Sequence, residues 1–307
     1  MRVNGIGEAL AQFHAYLVTE KRVSTNTFLA YRRDVEQLNA FLIHEKVAAD
    51  KITKRHLTAY IKKLKDQGLS ARSLSRKIST FKLFFRFLAE TYHHHNAAQG
   101  LIFPKIEKTL PRYLTEQEIE QLLAAANRDC TPKGVRNKVM LYVLYATGMR
   151  VSELVSVTVD QILFDEGFIR IHGKGGKERM VPLPKNIIEL LRHYVAHVYP
   201  KMVRPLEGEQ NQPHYIFATC HGGRIKPLSR QSLWIALKKV VKQASIVKNI
   251  SPHSLRHSLA THLLRKGADL RSLQLLLGHQ NLSAVQIYTH LGDSTLRKIY
   301  DAKHPRA

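Results

Sequence analysis

The sequence predicts a two-domain, mainly α-helical protein. An all-α unit of four helices comes first, and a mixed α+β unit with a small antiparallel sheet follows. Three observations lead there. Residues 6–95 show helical apolar spacing with short polar breaks, Pro104 and Pro111 bracket the next segment, and beyond it helical patterns enclose a stretch of period-two alternation. The 307 residues suit two domains of ordinary size, and a hydrophobic content of 44% can supply each with a core. The expected boundaries are 1–103 for the first domain, 104–112 for a linker and 113–307 for the second.

Each element has its own signal. Phe13, Tyr16 and Leu17 give the first helix its apolar stripe. Ser24 and Thr25 are cap residues for the second, whose stripe runs Leu29, Tyr31, Val35, Leu38, Phe41, Leu42. The third passes through HLTAYIKKLKDQG and stops at Gly68. The fourth, SARSLSRKISTFKLFFRFLAETY, starts at a serine cap and sets Leu74, Ile78, Phe81, Phe84 and Phe85 beside Arg72, Arg76 and Lys77. Basic residues so spaced can rest on a DNA backbone, or form a solvated charged face.

GLIFPKIEKTLPRYLTEQEI has few core candidates and reads as the linker. Thr115 and Glu118 then have the spacing of a capping box. Helices are expected to about residue 160. QILFDEGFIRIHGKGGKERMVPL follows as short strands with GKGGK as a hairpin turn, and helices return after it. The connection 201–217 takes no role, and no internal repeat or low-complexity tract is present.

Charge narrows the function. Lys and Arg number 48 against 24 Asp and Glu, a net of +24 with histidine neutral. Residues 1–103 carry 17 basic and 8 acidic side chains, a net of +9, and the remainder carries +15. Both parts are basic, which points to a polyanion that both touch, and for a folded chain to nucleic acid. The two cysteines, Cys130 and Cys220, do not form a zinc motif. The N-terminal stretch has no signal-peptide core, and no apolar run reaches about 18 residues, so the expectation is a cytoplasmic protein without a membrane segment.

Four segments carry polar residues suited to chemistry. In YATGMRVSELV an apolar helix ends at Thr147-Gly148, and a sharp turn there can aim Arg150 inward or pair it with Glu153. Lys174 lies in the glycine-rich hairpin, where a solvated turn lysine is the plainer reading. SPHSLRHSLATHLLRKG has Ser251 as N-cap, Pro252 at the first helical position and Gly267 at the stop. It sets Leu255, Leu259 and Leu263 on one face, with His253, Arg256, His257 and Ala260 on another, and a histidine and an arginine near a helix start suit a phosphate. LLGHQNLSAVQIYTH ends the series with His279 and Tyr288. Taken alone, each has a bland reading as a wet face or a core rim.

In order, Arg150, Lys174, His253, Arg256, His279 and Tyr288 give Arg…Lys…His-x-x-Arg…His…Tyr. This pattern resembles the tyrosine recombinase (phage integrase) family, and within it the Xer-type site-specific recombinases. The segments TGMRVSEL, GKGGKERMVPL, HSLRHSLATHLL, LLGHQNLSAVQIYTH and the terminal HPRA carry the resemblance. IYDAKHPRA and LSARSL lean toward the XerC branch. The resemblance implies a SAM-like core-DNA-binding domain in front of a catalytic domain. It makes Tyr288 the nucleophile that forms a 3′-phosphotyrosyl bond, Lys174 the general acid and His253 the proton acceptor. Arg150, Arg256 and His279 then donate to the phosphate. No metal or cofactor is expected, because the covalent intermediate keeps the bond energy.

The implied partners are double-stranded DNA, a homo- or hetero-tetramer on DNA with a second Xer-type recombinase, and an FtsK-like activator. The biology would be resolution of chromosome dimers before cell division. Three alternatives stand beside it. A mobile-element or integron integrase keeps the chemistry, a type IB topoisomerase nicks and reseals as a monomer, and a non-catalytic DNA-binding protein shares the basic clamp. After Tyr288, the residues Leu296, Ile299 and Tyr300 form an apolar stripe that either folds back on its own domain or docks into a neighbour.

Overall fold

The computed structural model describes residues 6–21, 23–106, 113–173, 178–203, 214–221, 224–278 and 300–305. The chain divides into two compact units, Met1–Thr109 and Leu110–Ala307. None of the described helices is long and apolar enough to cross a membrane.

The first unit is helical. Helices α1 (Ile6–Thr19), α2 (Thr25–His44), α3 (Lys54–Asp66) and α4 (Ala71–Tyr92) enclose one core. Ser24 caps α2 and Ser70 caps α4, each hydroxyl accepting the third residue's backbone N–H. After α3 the chain turns at Gly68, with φ +84°. Phe13, Leu17, Val35, Leu38, Ile78, Phe81 and Phe84 are fully buried, and Phe13 meets Phe84 edge to face at 5.0 Å. Leu29 departs from its expected place. It is 47% exposed, because Phe28 takes the inward position one residue earlier.

Lys77, expected on a DNA-facing surface, is not on one. Its side chain is buried, and its ammonium donates to Asp34 Oδ1 at 2.9 Å and to Gln37 Oε1 at 2.6 Å. Asp34 is itself buried and also accepts from Arg76 and from the Thr80 hydroxyl. Lys77 therefore neutralises a carboxylate between α2 and α4 and is withheld from any DNA backbone. Arg76 shares that carboxylate with its side chain 43% exposed, while Arg72 stands exposed on the helix surface.

The second unit opens with α5 (Glu116–Ala126), started by the Thr115–Glu118 capping box, and α6 (Pro132–Thr147). Then come α7 (Val151–Ser156) and the antiparallel strands β1 (Ile162–Leu163), β2 (Phe168–His172) and β3 (Glu178–Pro182) in that order across the sheet. Helix α8 (Lys185–His193) continues through a π-helical turn, Tyr194–Val198, into α9 (Tyr199–Met202). A second hairpin, β4 (Ala218–His221) with β5 (Arg224–Pro227), appears where only helices were expected. Helices α10 (Arg230–Gln243), α11 (Pro252–Arg265) and α12 (Leu270–Leu277) complete the order.

One core joins these elements, from Leu114 through α6, β2, β3, α10, α11 and α12 to Tyr300. The Ser258 hydroxyl on α11 accepts the backbone N–H of Leu114 at 2.8 Å, fixing the start of the unit against that helix. Tyr300 is 3% exposed, and its hydroxyl donates to the Ala146 carbonyl at 2.8 Å. The part of the terminal stripe that is described thus folds back on its own unit.

Candidate active site

Three elements converge on the C-terminal end of α12. The last carbonyls of a helix lack intrahelical donors and sit at the negative end of its dipole, so cations are favoured there. Here three successive carbonyls each receive a different guanidinium. Arg179 Nε donates to Leu276 O at 3.3 Å, Arg256 Nη2 to Leu277 O at 2.6 Å and Arg150 Nη2 to Gly278 O at 3.2 Å.

The sequence around each arginine explains its place. Helix α6 ends at Gly148, which adopts φ +59° as C-cap, and the reversed chain presents Arg150 as N-cap of α7. A Cβ on Gly148 would lie 2.7 Å from Leu277 Cδ2 and 2.9 Å from Leu259 Cδ2, so only glycine lets α6, α11 and α12 approach this closely. Arg256 lies one turn into α11, after the Ser251 cap and Pro252. It is 9% exposed and also donates to Gly148 O at 2.6 Å, so this residue of the expected wet face of α11 is buried while His257 beside it is exposed. His253, one turn earlier, is exposed.

Glu153 holds the cluster together. Arg150 donates to it twice, through Nη1 at 3.0 Å and through its backbone N–H at 2.7 Å. Arg179 meets the same carboxylate fork to fork, at 3.0 and 2.8 Å. Burial alone would raise the Glu153 pKa, but the bonds and charge of Arg179, then those of Arg150, hold it below the usual carboxylate value. Arg256 is lowered to about 10 by burial first and then by the positive charges of Arg150 and Arg179, so it stays charged at neutral pH.

The structure thus brings Arg150 and Arg256 together and sets His253 at the start of the same helix as Arg256. Lys174, His279 and Tyr288 lie outside the described residues. Arg179 was not singled out from sequence, although a signal existed. In KERMVPL the period-two pattern puts Arg179 on the face of Val181, and both are buried in β3. An arginine at an inward strand position needs a buried partner. Among the described residues no group of three or more His, Cys, Asp or Glu side chains is placed to hold a metal ion.

Comparison with known proteins covers both units. The phage integrase family model matches residues 112–295, and the phage integrase N-terminal SAM-like domain matches residues 10–91. A protein from Staphylococcus saprophyticus named tyrosine recombinase XerD is 40% identical over 300 residues, spanning 97% of this chain and 99% of the relative. A relative of the same name from Staphylococcus aureus (strain Mu50) is 39% identical over the same shares. Both carry the XerD name, against the lean of IYDAKHPRA and LSARSL toward XerC. Among solved structures, the XerH site-specific recombinase bound to its difH substrate aligns with TM-score 0.68 at 19% identity, over 94% of this chain and 95% of that one. A lambda integrase tetramer bound to a Holliday junction aligns with TM-score 0.67 at 20% identity, over 92% and 76%. With both units matched and a relative of this identity aligned along nearly the whole chain, the protein belongs to the phage integrase family and is a site-specific tyrosine recombinase.

Proposed function

We propose that the chain cleaves and rejoins double-stranded DNA through a 3′-phosphotyrosyl intermediate on Tyr288, and that it resolves chromosome dimers for segregation at cell division. The arginine cluster is the observation that supports this. Arg150 and Arg179 share the Glu153 carboxylate and Arg256 joins them at the end of α12, which leaves an excess of positive charge there, on the same helix that carries exposed His253. A tyrosine hydroxyl has a pKa of about 10 and is a poor nucleophile at neutral pH. A cationic pocket favours its phenolate and the extra charge of a phosphoryl transition state.

In this scheme Tyr288 gives its proton to His253 and its oxygen bonds to the scissile phosphorus. The bond to the 5′ oxygen breaks as Lys174 protonates the leaving group, while Arg150, Arg256 and His279 donate to the non-bridging oxygens. The 5′ hydroxyl of another strand reverses the step. The phosphoester energy is retained, so the scheme needs neither nucleotide nor metal. XerD-named relatives aligned over nearly their full length favour the Xer role over a mobile-element integrase. The partners we assign are a second Xer-type recombinase completing a tetramer on cytoplasmic DNA, and an FtsK-like translocase as activator.

The test starts from a library of nicked suicide duplexes with a randomised centre. Adducts that survive denaturant are isolated and their DNA sequenced, which also yields the target site. The native chain should form such adducts and Tyr288→Phe should form none while still binding. An adduct on the variant would move the nucleophile elsewhere. On the recovered site, Lys174→Ala should slow cleavage by roughly 10²–10⁴-fold, and a 5′-bridging sulfur, which leaves without a proton, should restore most of that rate.

A further inference from the structure

Arg179 has no part in the scheme above, yet it is the most committed side chain of the cluster. It is 7% exposed, and its fork is spent on Glu153 while Nε serves Leu276 O. Removing a guanidinium from water is costly unless partners satisfy it. Here they come from two elements, so Arg179 ties β3 to α7 and to the end of α12. It also lies beside Gly278, the C-cap of α12. A Cβ added to Gly278, which adopts φ +68°, would lie 3.2 Å from Arg179 Cζ.

Glu153 is shared between a buried arginine and one whose side chain is 39% exposed. If Arg150 had to neutralise this carboxylate alone, its guanidinium would be drawn onto α7 and its charge consumed there. Arg179 removes that demand. With Arg179 present, Arg150 shares the Glu153 charge with a second guanidinium; without it, Arg150 alone would meet that carboxylate, and less of its charge would be left for a phosphate.

Taking Arg150 and Arg256 as phosphate ligands, as the preceding reading does, we propose that Arg179 is a positioning residue for DNA cleavage. It neutralises and clamps Glu153, which leaves the Arg150 guanidinium available to the scissile phosphate. Its bond to Leu276 O and its place beside Gly278 hold the C-terminal end of α12. It touches no substrate atom itself.

The experiment is single-turnover cleavage of a nicked suicide duplex by the full-length protein. One substrate has a normal scissile phosphate, and the other a methylphosphonate there, which lacks one anionic oxygen. Arg179→Met should cleave the phosphate about 10²-fold more slowly, the scale of a small misplacement of a catalytic group, with DNA affinity nearly unchanged. On the methylphosphonate most of that deficit should vanish, because less charge has to be met by Arg150. Adding Glu153→Gln to Arg179→Met should return part of the phosphate rate, since the competing carboxylate charge is gone. Should Arg179→Met fail to fold, Arg179→Lys keeps a charge beside Glu153 without the fork, and its deficit should shrink on the methylphosphonate in the same way. A wild-type rate, or an equal loss on both substrates, overturns the positioning role and leaves the recombinase chemistry standing. If the native chain forms no adduct, that chemistry falls and this role falls with it.

Discussion

Arg256 ties Gly148 to Leu277, donating from one guanidinium to both carbonyls at 2.6 Å. The residue assigned to grip a phosphate is thus also the strut between the end of α6 and the end of α12. Arginine suits both tasks, since its planar fork leaves donors over after two bonds, whereas an ammonium is a point charge with one centre.

Arg256→Lys is accordingly expected to keep the charge and lose the geometry. Single-turnover cleavage should fall by about 10²–10³-fold, the range for losing an oriented donor at a developing charge. The melting temperature should fall too, because one of the two buried carbonyls loses its donor. A lysine variant with native rate and native melting would show that neither bond matters.

In the first unit, Lys77 and Arg72 separate two kinds of basic residue. Lys77→Met leaves Asp34 buried with one fewer counter-charge, and breaking a buried pair by removing one partner costs about 3–5 kcal/mol. Because that ammonium is withheld from solvent, the slope of log affinity against log salt should not change. Arg72→Ala should do the reverse, with no loss of stability and a slope smaller by about 0.9 if the side chain meets a phosphate. Melting curves and binding titrations in several salt concentrations read both.

These two residues mark where the sequence could and could not be read. Local signals survived well. Ser24, Ser70, Thr115 and Ser251 cap the helices assigned to them, and Gly148 turns the chain as its place after an apolar helix suggests. Such features depend on neighbours a few residues away. The pairing of Lys77 with Asp34 spans 43 residues, that of Arg179 with Glu153 spans 26, and Arg256 reaches back 108 residues to Gly148. Periodicity places a basic residue on a face, but only the packed partner decides whether that face is wet. The same gap hid Arg256: the face of α11 read as wet keeps His253 and His257 exposed, but buries the arginine between them.

Acid should loosen the second unit through His262. Its ring is 1% exposed, and Nδ1 lies 2.9 Å from the Tyr145 hydroxyl. Burial lowers its pKa below the ordinary 6.5, outweighing the raising effects of the Leu114 backbone and Glu116, while Arg265 and Lys266 lower it further. The folded state therefore refuses a proton that the unfolded chain accepts. Its contribution to stability is present above pH 6.5 and is lost as pH falls through and below that value. Thermal melts between about pH 7.5 and 5.5 should show a steeper fall for the native chain than for His262→Gln. Parallel curves would assign the acid sensitivity to other histidines.

The chain's end gives the last expectation, and there the structure alters the starting idea. A stripe of Leu296, Ile299 and Tyr300 can dock into a neighbour or fold home. Leu296 and Ile299 lie outside the described residues, but Tyr300 is in the core, stacked on His304 at 4.4 Å, with His304 in turn 5.9 Å from Tyr145. Its hydroxyl bonds Ala146, two residues before the Gly148 turn that presents Arg150. Deleting residues 295–307 should therefore cost stability first, by about the 3–5 kcal/mol of emptying a large aromatic site. Tyr300→Phe, which keeps the ring and removes the donor to the Ala146 carbonyl, should cost about 1 kcal/mol. Both variants should still bind a single half-site at a temperature where they remain folded. Gel-shift titrations on one and two half-sites, run beside thermal melts, measure this. If the deletion melts like the native chain and only its cooperative binding suffers, the segment works through a neighbour, and its place in the core is not what the protein needs it for.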